Sequence, residues 1–201
     1  MAFLPIFIFL RVLRASSEAG GKIAFAEQLE IPHMPRNVEI KAKVIDWEQM
    51  HHRAKTAAGG EPKILHQEDI FFNVPRGRLK LRTQNKMSEL IYYLRENTSG
   101  PKQSSYLCLP VANPAATRQI LAVIHGERGI IRKTRWLYMA GQTRIHLDRV
   151  ENLGDFLELE VVLRDDQTTE MGAAIAGELM KKLQIKPDQL LDRAYMDLRE
   201  G

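Results

Sequence analysis

From residue 37 onward, apolar and polar positions alternate with a period of two in one segment after another. In "NVEIKAKV", residues 37–44, Val38, Ile40 and Ala42 alternate with Glu39, Lys41 and Lys43. Alternate residues of a strand point to opposite faces of its sheet, so this segment predicts a strand with one apolar and one charged face. The pattern returns in "GRLKLR" (77–82), "RKTR" (132–135), "TRIHLDRV" (143–150) and "FLELEVVLR" (156–164). Further strands are expected over "ILHQEDIFFNV" (64–74), "ELIYYLRE" (89–96) and "SYLCLPV" (105–111). The loop "PRG" reads as a three-residue hairpin connection, and Asn85 and Lys86 mark a polar turn. Gly141 and Gly154 separate the last three strands so closely that an antiparallel meander is expected.

Four segments carry the helical period instead. Asp46 can cap a helix, with Gln49 completing a capping box; Trp47, Met50, Ala54 and Ala57 form its stripe, and Gly59-Gly60 ends it. Asn113-Pro114 opens a second, with Ile120, Leu121 and Ile124 as the buried side. A third is predicted over Thr169–Leu183, with Met171, Ile175, Leu179 and Leu183 on one face. A fourth is predicted from Pro187, carrying Leu190, Leu191, Ala194, Tyr195 and Leu198, with Tyr195 placed to cap one end of the sheet structure.

The charged faces can be solvated or enclosed. A half-exposed antiparallel sheet explains each strand taken singly. It explains the sorting less well: Arg78, Lys80 and Arg82 share a face, as do Lys133 and Arg135, and as do Arg144, His146 and Asp148, while Glu158 and Glu160 stand almost alone on the last strand. The alternative is a sheet closed around its charged faces, its apolar outside covered by the helices. Such a lumen would hold about nine bases and four acids. Crowded buried charges are costly unless neutralised. An excess of bases calls for a multivalent anion, and carboxylates among them for a hard divalent cation. Together these describe a metal-bound polyphosphate.

Bulk properties narrow this a little. The 201 residues are 44% hydrophobic and 27% charged, enough for one globular domain with a core and an appendage. The net charge of +4 does not signal nucleic-acid binding, and "GRLKLR" lacks the exposed aromatics an RNA-binding sheet wants beside its bases. A single cysteine, Cys108, excludes a disulfide scaffold or a cysteine-rich metal site. Residues 1–34 form an N-terminal extension, expected to be disordered or removable. Their apolar run is about half the length of a membrane span, so no stable membrane insertion is expected. A cytoplasmic location is expected, with mitochondrial import by residues 1–33 as the secondary reading.

"NVEIKAKV" resembles the opening strand of the CYTH superfamily, the triphosphate tunnel metalloenzymes named for class IV adenylyl cyclases and thiamine triphosphatases. "GRLKLR", "RKTR", "RIHLDRVENLG" and "FLELEVV" resemble its later strands in the family's order. The resemblance spans about residues 35–198 and implies an α+β fold over 35–200: an eight-stranded antiparallel β-barrel, a tunnel with a charged interior and helices packed outside. It further implies Mg²⁺ or Mn²⁺ held by Glu39, Glu158 and Glu160, with Asp148 touching the metal or orienting a base. Phosphate contacts are implied for Lys41, Lys80, Arg82, Lys133, Arg135 and Arg144, with Lys43, Arg78 and Arg95 as additional ones. Lys41, Arg82 and His146 are the candidate catalytic groups. One position departs from the family opening Glu-x-Glu-x-Lys: its first Glu is Asn37 here, which puts a second metal ion in doubt. The expected activity is metal-dependent binding and hydrolysis of inorganic triphosphate, thiamine triphosphate or a nucleoside triphosphate. A class IV adenylyl cyclase and a non-catalytic phosphate or polyphosphate binder are the alternatives. The expected partner is that small molecule alone, on a monomer or homodimer.

Overall fold

A computed structural model describes residues 34–200, and the extension predicted over residues 1–34 falls, but for Met34, outside them. In chain order the elements are β1 (Arg36–Lys43), α1 (Trp47–Ala58), β2 (Lys63–Phe72), β3 (Arg78–Gln84), β4 (Met87–Arg95), β5 (Lys102–Pro110), α2 (Pro114–His125), β6 (Glu127–Ala140), β7 (Thr143–Val150), β8 (Gly154–Val162), α3 (Thr169–Leu183), β9 (Leu190–Leu191) and α4 (Tyr195–Arg199). The strands pair in the order β5-β4-β3-β2-β6-β7-β8-β1, and β1 returns to β5 through Val38 opposite Gln103. The sheet is therefore a closed eight-stranded antiparallel barrel. Closure removes the unpaired edges an open sheet would expose. The two-residue β9 pairs with the remaining length of β1, Lys41 opposite Leu191.

The local signals account for most boundaries. Asp46 accepts the Gln49 amide, and Gly59, in the left-handed region, closes α1. Asn113 caps α2 by accepting from Ala116. Asn85 and Lys86 both have positive φ, as a two-residue hairpin turn between Gln84 and Met87 requires. The β2–β3 connection is longer than the predicted three residues, because pairing begins only at Phe72 opposite Leu79.

The apolar outer face of the barrel is covered on one side. Ile40, Ile145, Leu147, Leu157 and Leu159 meet Met50 and Ala54 of α1 and Leu179 and Leu183 of α3 in the main core. α3 approaches β1 closely at Gly172 and Ala176, which lie against Val38, Val161 and Leu163. Of its predicted face Ile175, Leu179 and Leu183 pack against the barrel, while Met171 is exposed and Gly172 and Ala176 make the close approach instead. Two expectations for the other helices are corrected. On α2 only Leu121 packs against the barrel, while Ile120 and Ile124 are exposed. The helix predicted from Pro187 is a 3-10 turn, then β9, then the short α4; Lys102 donates to the carbonyls of Thr98 and Leu191 there.

α4 does something the periodicity hinted at through Tyr195. At its end of the barrel the inward-facing positions turn apolar, with Phe71, Ile131, Val150 and Phe156, and Tyr195 and Met196 insert among them. Gly129 leaves room for Met196 against the β6 backbone. Asp197 is held by Arg78 at 2.7 Å and Arg128 at 2.8 Å. The barrel is plugged at this end and holds its charges above the plug. No helix among the described residues is long and apolar enough to cross a membrane.

Candidate functional site

Above the plug lies a cavity of about 150 Å³. Period two, set by closure, sends one side chain in two inward, and register lines them up between strands. Around the ring, β4 contributes Tyr93 and Arg95, β3 Lys80 and Arg82, β2 Asp69 and Phe71, and β6 Lys133 and Arg135. β7 contributes Arg144, β8 Glu158 and Glu160, β1 Asn37, Glu39 and Lys41, and β5 the uncharged Ser104, Tyr106 and Cys108. Seven bases and four carboxylates line the space; with Asp148 buried behind them, the excess is two positive charges. From β3 to β7 the paired charges alternate: Lys80 and Arg82 on β3, Asp69 on β2, Lys133 and Arg135 on β6, then Asp148 on β7.

That alternation builds two like-shaped clamps. In each, a Lys-x-Arg pair on one strand is gripped by an aspartate on the next, with Arg and Asp in direct cross-strand register. Asp148 accepts Arg135 through Nε and Nη2, both at 2.6 Å, and Lys133 at 2.9 Å. It also accepts the Tyr195 hydroxyl at 2.9 Å and is fully buried. Asp69 accepts Arg82 at 2.7 and 2.8 Å and Lys80 at 3.0 Å. Burial pushes both aspartates up, but Arg135 with Lys133, and Arg82 with Lys80, outweigh it and hold both carboxyls far below the usual range. Burial, with Arg82 beside it, lowers Lys80 to about 8.

The other acids sit on β8 and β1. Glu158 accepts from Lys41 and, at 2.6 Å, from Arg135. Burial opposes its ionisation, yet Lys41 and Lys133 keep its pKa well below normal. Burial lowers the Lys41 pKa despite that pairing; its ammonium also lies 3.3 Å from the centre of the Tyr195 ring. Glu39 stands directly opposite Glu160 in register, an unfavourable placement for two like charges. Burial raises the Glu39 pKa, against the pull of Arg95, with which it pairs. Arg95 keeps two buried nitrogens, Nε and Nη2, without partners among the described residues. Arg144 is the most open base, 3.5 Å from Glu160.

His146 lies behind Glu158 and Glu160. It is buried, and its Nδ1 has no hydrogen-bond partner and sits 3.8 and 3.7 Å from the two carboxylates. Burial and Arg135 lower its pKa, which favours the neutral imidazole. These three residues can bring one ligand atom each within 4.8 Å of one another. The orphaned ring nitrogen beside two carboxylates fits a divalent cation, with imidazole favouring Mn²⁺ over the strictly oxygen-seeking Mg²⁺.

The structure thus gathers most of the predicted residues and redistributes some. Glu39, Lys41, Lys80, Arg82, Arg95, Lys133, Arg135, Arg144, Glu158 and Glu160 line one cavity. Lys43 has the right parity but sits exposed at the strand end, and Arg78 is spent on the plug through Asp197. Asp148 is enclosed by Lys133, Arg135 and Tyr195, the arrangement of a group that orients bases. Asp69 was missed by the strand pattern, because β2 places it between Gln67 and Phe71 with no charge alternation. The uncharged β5 lining gave no signal either.

Comparison with known proteins places this barrel. The family model for the CYTH domain matches residues 35–195. The chain belongs to the CYTH domain family. Among curated proteins, one of Methanocaldococcus jannaschii named "Putative adenylate cyclase" is 28% identical over 170 residues, covering 81% of this chain and 97% of that one. Among solved structures, the PH1012 protein of Pyrococcus horikoshii aligns with a TM-score of 0.71 at 25% identity, over 81% of this chain and 98% of that one. A CYTH-like fold is shared with HpAC1 of Hippeastrum, reported to have a dominant triphosphatase activity. It has a TM-score of 0.59 and 15% identity, over 82% of this chain and 96% of that one. At that identity the likeness is one of fold.

Proposed function

We propose that this CYTH barrel binds the triphosphate tail of a small molecule together with one divalent cation and hydrolyses a phosphoanhydride bond. The observation that carries this reading is the excess of bases in one small cavity whose far end is plugged: seven lining bases face four lining carboxylates and the buried Asp148. Buried cations without a full complement of counter-charges are held only where an anion completes them. The partnerless nitrogens of Arg95 make the same demand. About 150 Å³ is well below the 300–1,000 Å³ of a pocket that swallows a drug-sized ligand. It suits a phosphate chain, with any base, sugar or thiamine ring lying outside.

Phosphoryl transfer needs positioning and charge stabilisation more than a covalent nucleophile. Arg82 and Arg135 offer paired N–H donors to non-bridging oxygens, and Lys80, Lys133 and Lys41 offer point charges. Glu158, Glu160 and His146 would hold the cation, with Glu39 facing Glu160 from β1. When bound, it would neutralise phosphate charge and polarise the phosphorus. Lys41 and Arg135 share Glu158, so a ligand role for that carboxylate would leave their donors available to phosphate. His146, neutral and aimed at the carboxylates, is better placed as a ligand than as a proton donor.

The curated relative's name keeps a cyclase as the second reading: the ribose 3′-hydroxyl attacking the alpha phosphorus of ATP, in place of water. The test gives purified protein tripolyphosphate, ATP or thiamine triphosphate with Mg²⁺ or Mn²⁺ and measures orthophosphate and cyclic AMP. Phosphate release that disappears in Glu160→Gln supports the hydrolase. Cyclic AMP from ATP selects the cyclase. Binding without turnover on every substrate makes the barrel a phosphate reader.

A further inference from the structure

Lys80 and Arg82 form no ion pair, among the described residues, except with Asp69. The second clamp differs: Arg135 has Glu158 as well as Asp148, and Asp148 has Tyr195 as a further donor. Asp69 therefore stands alone as the counter-charge of the β3 bases, although nothing in the strand pattern marks it. Its carboxylate is 3% exposed and both oxygens are engaged by bases, so it is not free to ligate a cation or take a proton. The geometry fixes what it leaves available. Arg82 commits Nε and one Nη2 hydrogen to Asp69, and Lys80 commits one hydrogen. Three of the five arginine donors and two of the three lysine donors stay free beside the cavity. A bidentate grip locks the guanidinium plane, and the shared oxygen fixes the ammonium beside it.

We propose that Asp69 is a positioning residue for the triphosphate: it sets the orientation of Arg82 and keeps Lys80 charged, so that their free donors meet phosphate oxygens together. This rests on the reading of the cavity as a polyphosphate site. Two roles for a buried carboxylate beside two bases make opposite predictions. If Asp69 were only a local negative charge, removing it would make the cavity more positive and anion binding tighter. If it positions the bases, removing it weakens binding despite the added positive charge. Lys80 sharpens the difference. Burial already lowers it to about 8 with Asp69 present. Asp69 is a contribution that raises it, so removing Asp69 lowers the Lys80 pKa further, and an arriving phosphate would have to restore the proton.

Titration calorimetry with sodium tripolyphosphate in Mg²⁺ separates these. The full chain is compared with Asp69→Asn and Asp69→Glu at pH 7 in buffers of differing ionisation heat. Asp69→Asn is expected to bind at least about ten-fold more weakly and to take up more protons per bound anion than the wild type. Asp69→Glu keeps the charge but moves the carboxylate by a methylene, and is expected to lose several-fold. Equal or tighter binding by Asp69→Asn, with no extra proton uptake, overturns the proposal. Should Asp69→Asn fail to fold, Asp69→Glu decides: unchanged affinity there overturns it. Wild-type protein that binds no tripolyphosphate refutes the polyphosphate reading itself, a result distinct from either.

Discussion

Replacing Glu158 by glutamine tests how far the barrel neutralises its own charges. Glu158 is the ion-pair partner of Lys41, which is 2% exposed, while Arg135 retains Asp148 after the change. One buried ammonium is left without its counter-charge. Removing one member of a buried pair costs about 3–5 kcal/mol, and the surviving Arg135–Asp148 pair places this variant near about 3. For a domain of this size about 1 kcal/mol moves the midpoint by about 2–4 °C, so a fall of about 6–12 °C is expected at pH 7. The orphaned Lys41 can escape by losing its proton, which burial already favours. The deficit should therefore shrink at alkaline pH. Tripolyphosphate without metal should also recover part of it, by returning negative charge to Lys41. Thermal unfolding followed by circular dichroism, at pH 7 and pH 9.5 with and without tripolyphosphate, reads all three. A variant as stable as the wild type at both pH values would refute the reasoning, because Lys41 would then not depend on Glu158.

Other expectations follow from the same geometry. Tyr195→Phe removes the buried hydroxyl that donates to Asp148; a hydrogen bond to a charged group is worth about 1.5–3 kcal/mol, so the melting midpoint should fall by about 3–12 °C. In the ligand-free protein Lys80 titrates near 8 when folded and near 10.5 when unfolded. The unfolded chain binds more protons between those values, so this residue's contribution to stability should rise with pH across that window, and Lys80→Met should flatten that slope in pH-dependent denaturant titrations. The depressed carboxyls of Asp69, Asp148 and Glu158 act at the other end: their stabilisation is present above pH about 4 and is lost as pH falls through their folded values, giving slow acid unfolding. Mn²⁺ binding followed by electron paramagnetic resonance should saturate near one ion per barrel, and His146→Ala should weaken it about ten-fold or more; an unchanged signal would remove His146 from the ligand set.

The sequence carried the face of each strand more faithfully than its depth. Period two said correctly that Lys80 and Arg82, or Glu158 and Glu160, point the same way, and closure was the arrangement that made one cavity of them. It could not say how far along the barrel axis a residue lies. Lys43 and Arg78 share the parity of their neighbours yet fall at the plugged end, one exposed and one bound to Asp197. The plug is legible only in hindsight, because the inward positions Phe71, Ile131, Val150 and Phe156 come from four different strands. Asp69 follows Glu68, which faces the other way and pairs with Arg132, and precedes the apolar Ile70, Phe71 and Phe72, so alternation could not flag it. The α2 stripe failed for another reason: an amphipathic pattern names an apolar face but not what covers it, and only Leu121 meets the barrel. From Pro187 onward, closely spaced apolar residues mimicked a helical period that β9 and α4 divide between them.

The central claim is that inward-facing lysines and arginines grip a phosphate chain beside a single cation. A crystal structure of the protein grown with tripolyphosphate and Mn²⁺ tests it most directly. The predicted result is phosphate density within the barrel touching Lys80, Arg82, Lys133 and Arg135, with one ion against Glu158 and Glu160. Density confined to the outer surface, with Asp69, Asp148 and Glu158 still holding Lys80, Arg82, Lys133, Arg135 and Lys41 as in the free protein, would contradict it.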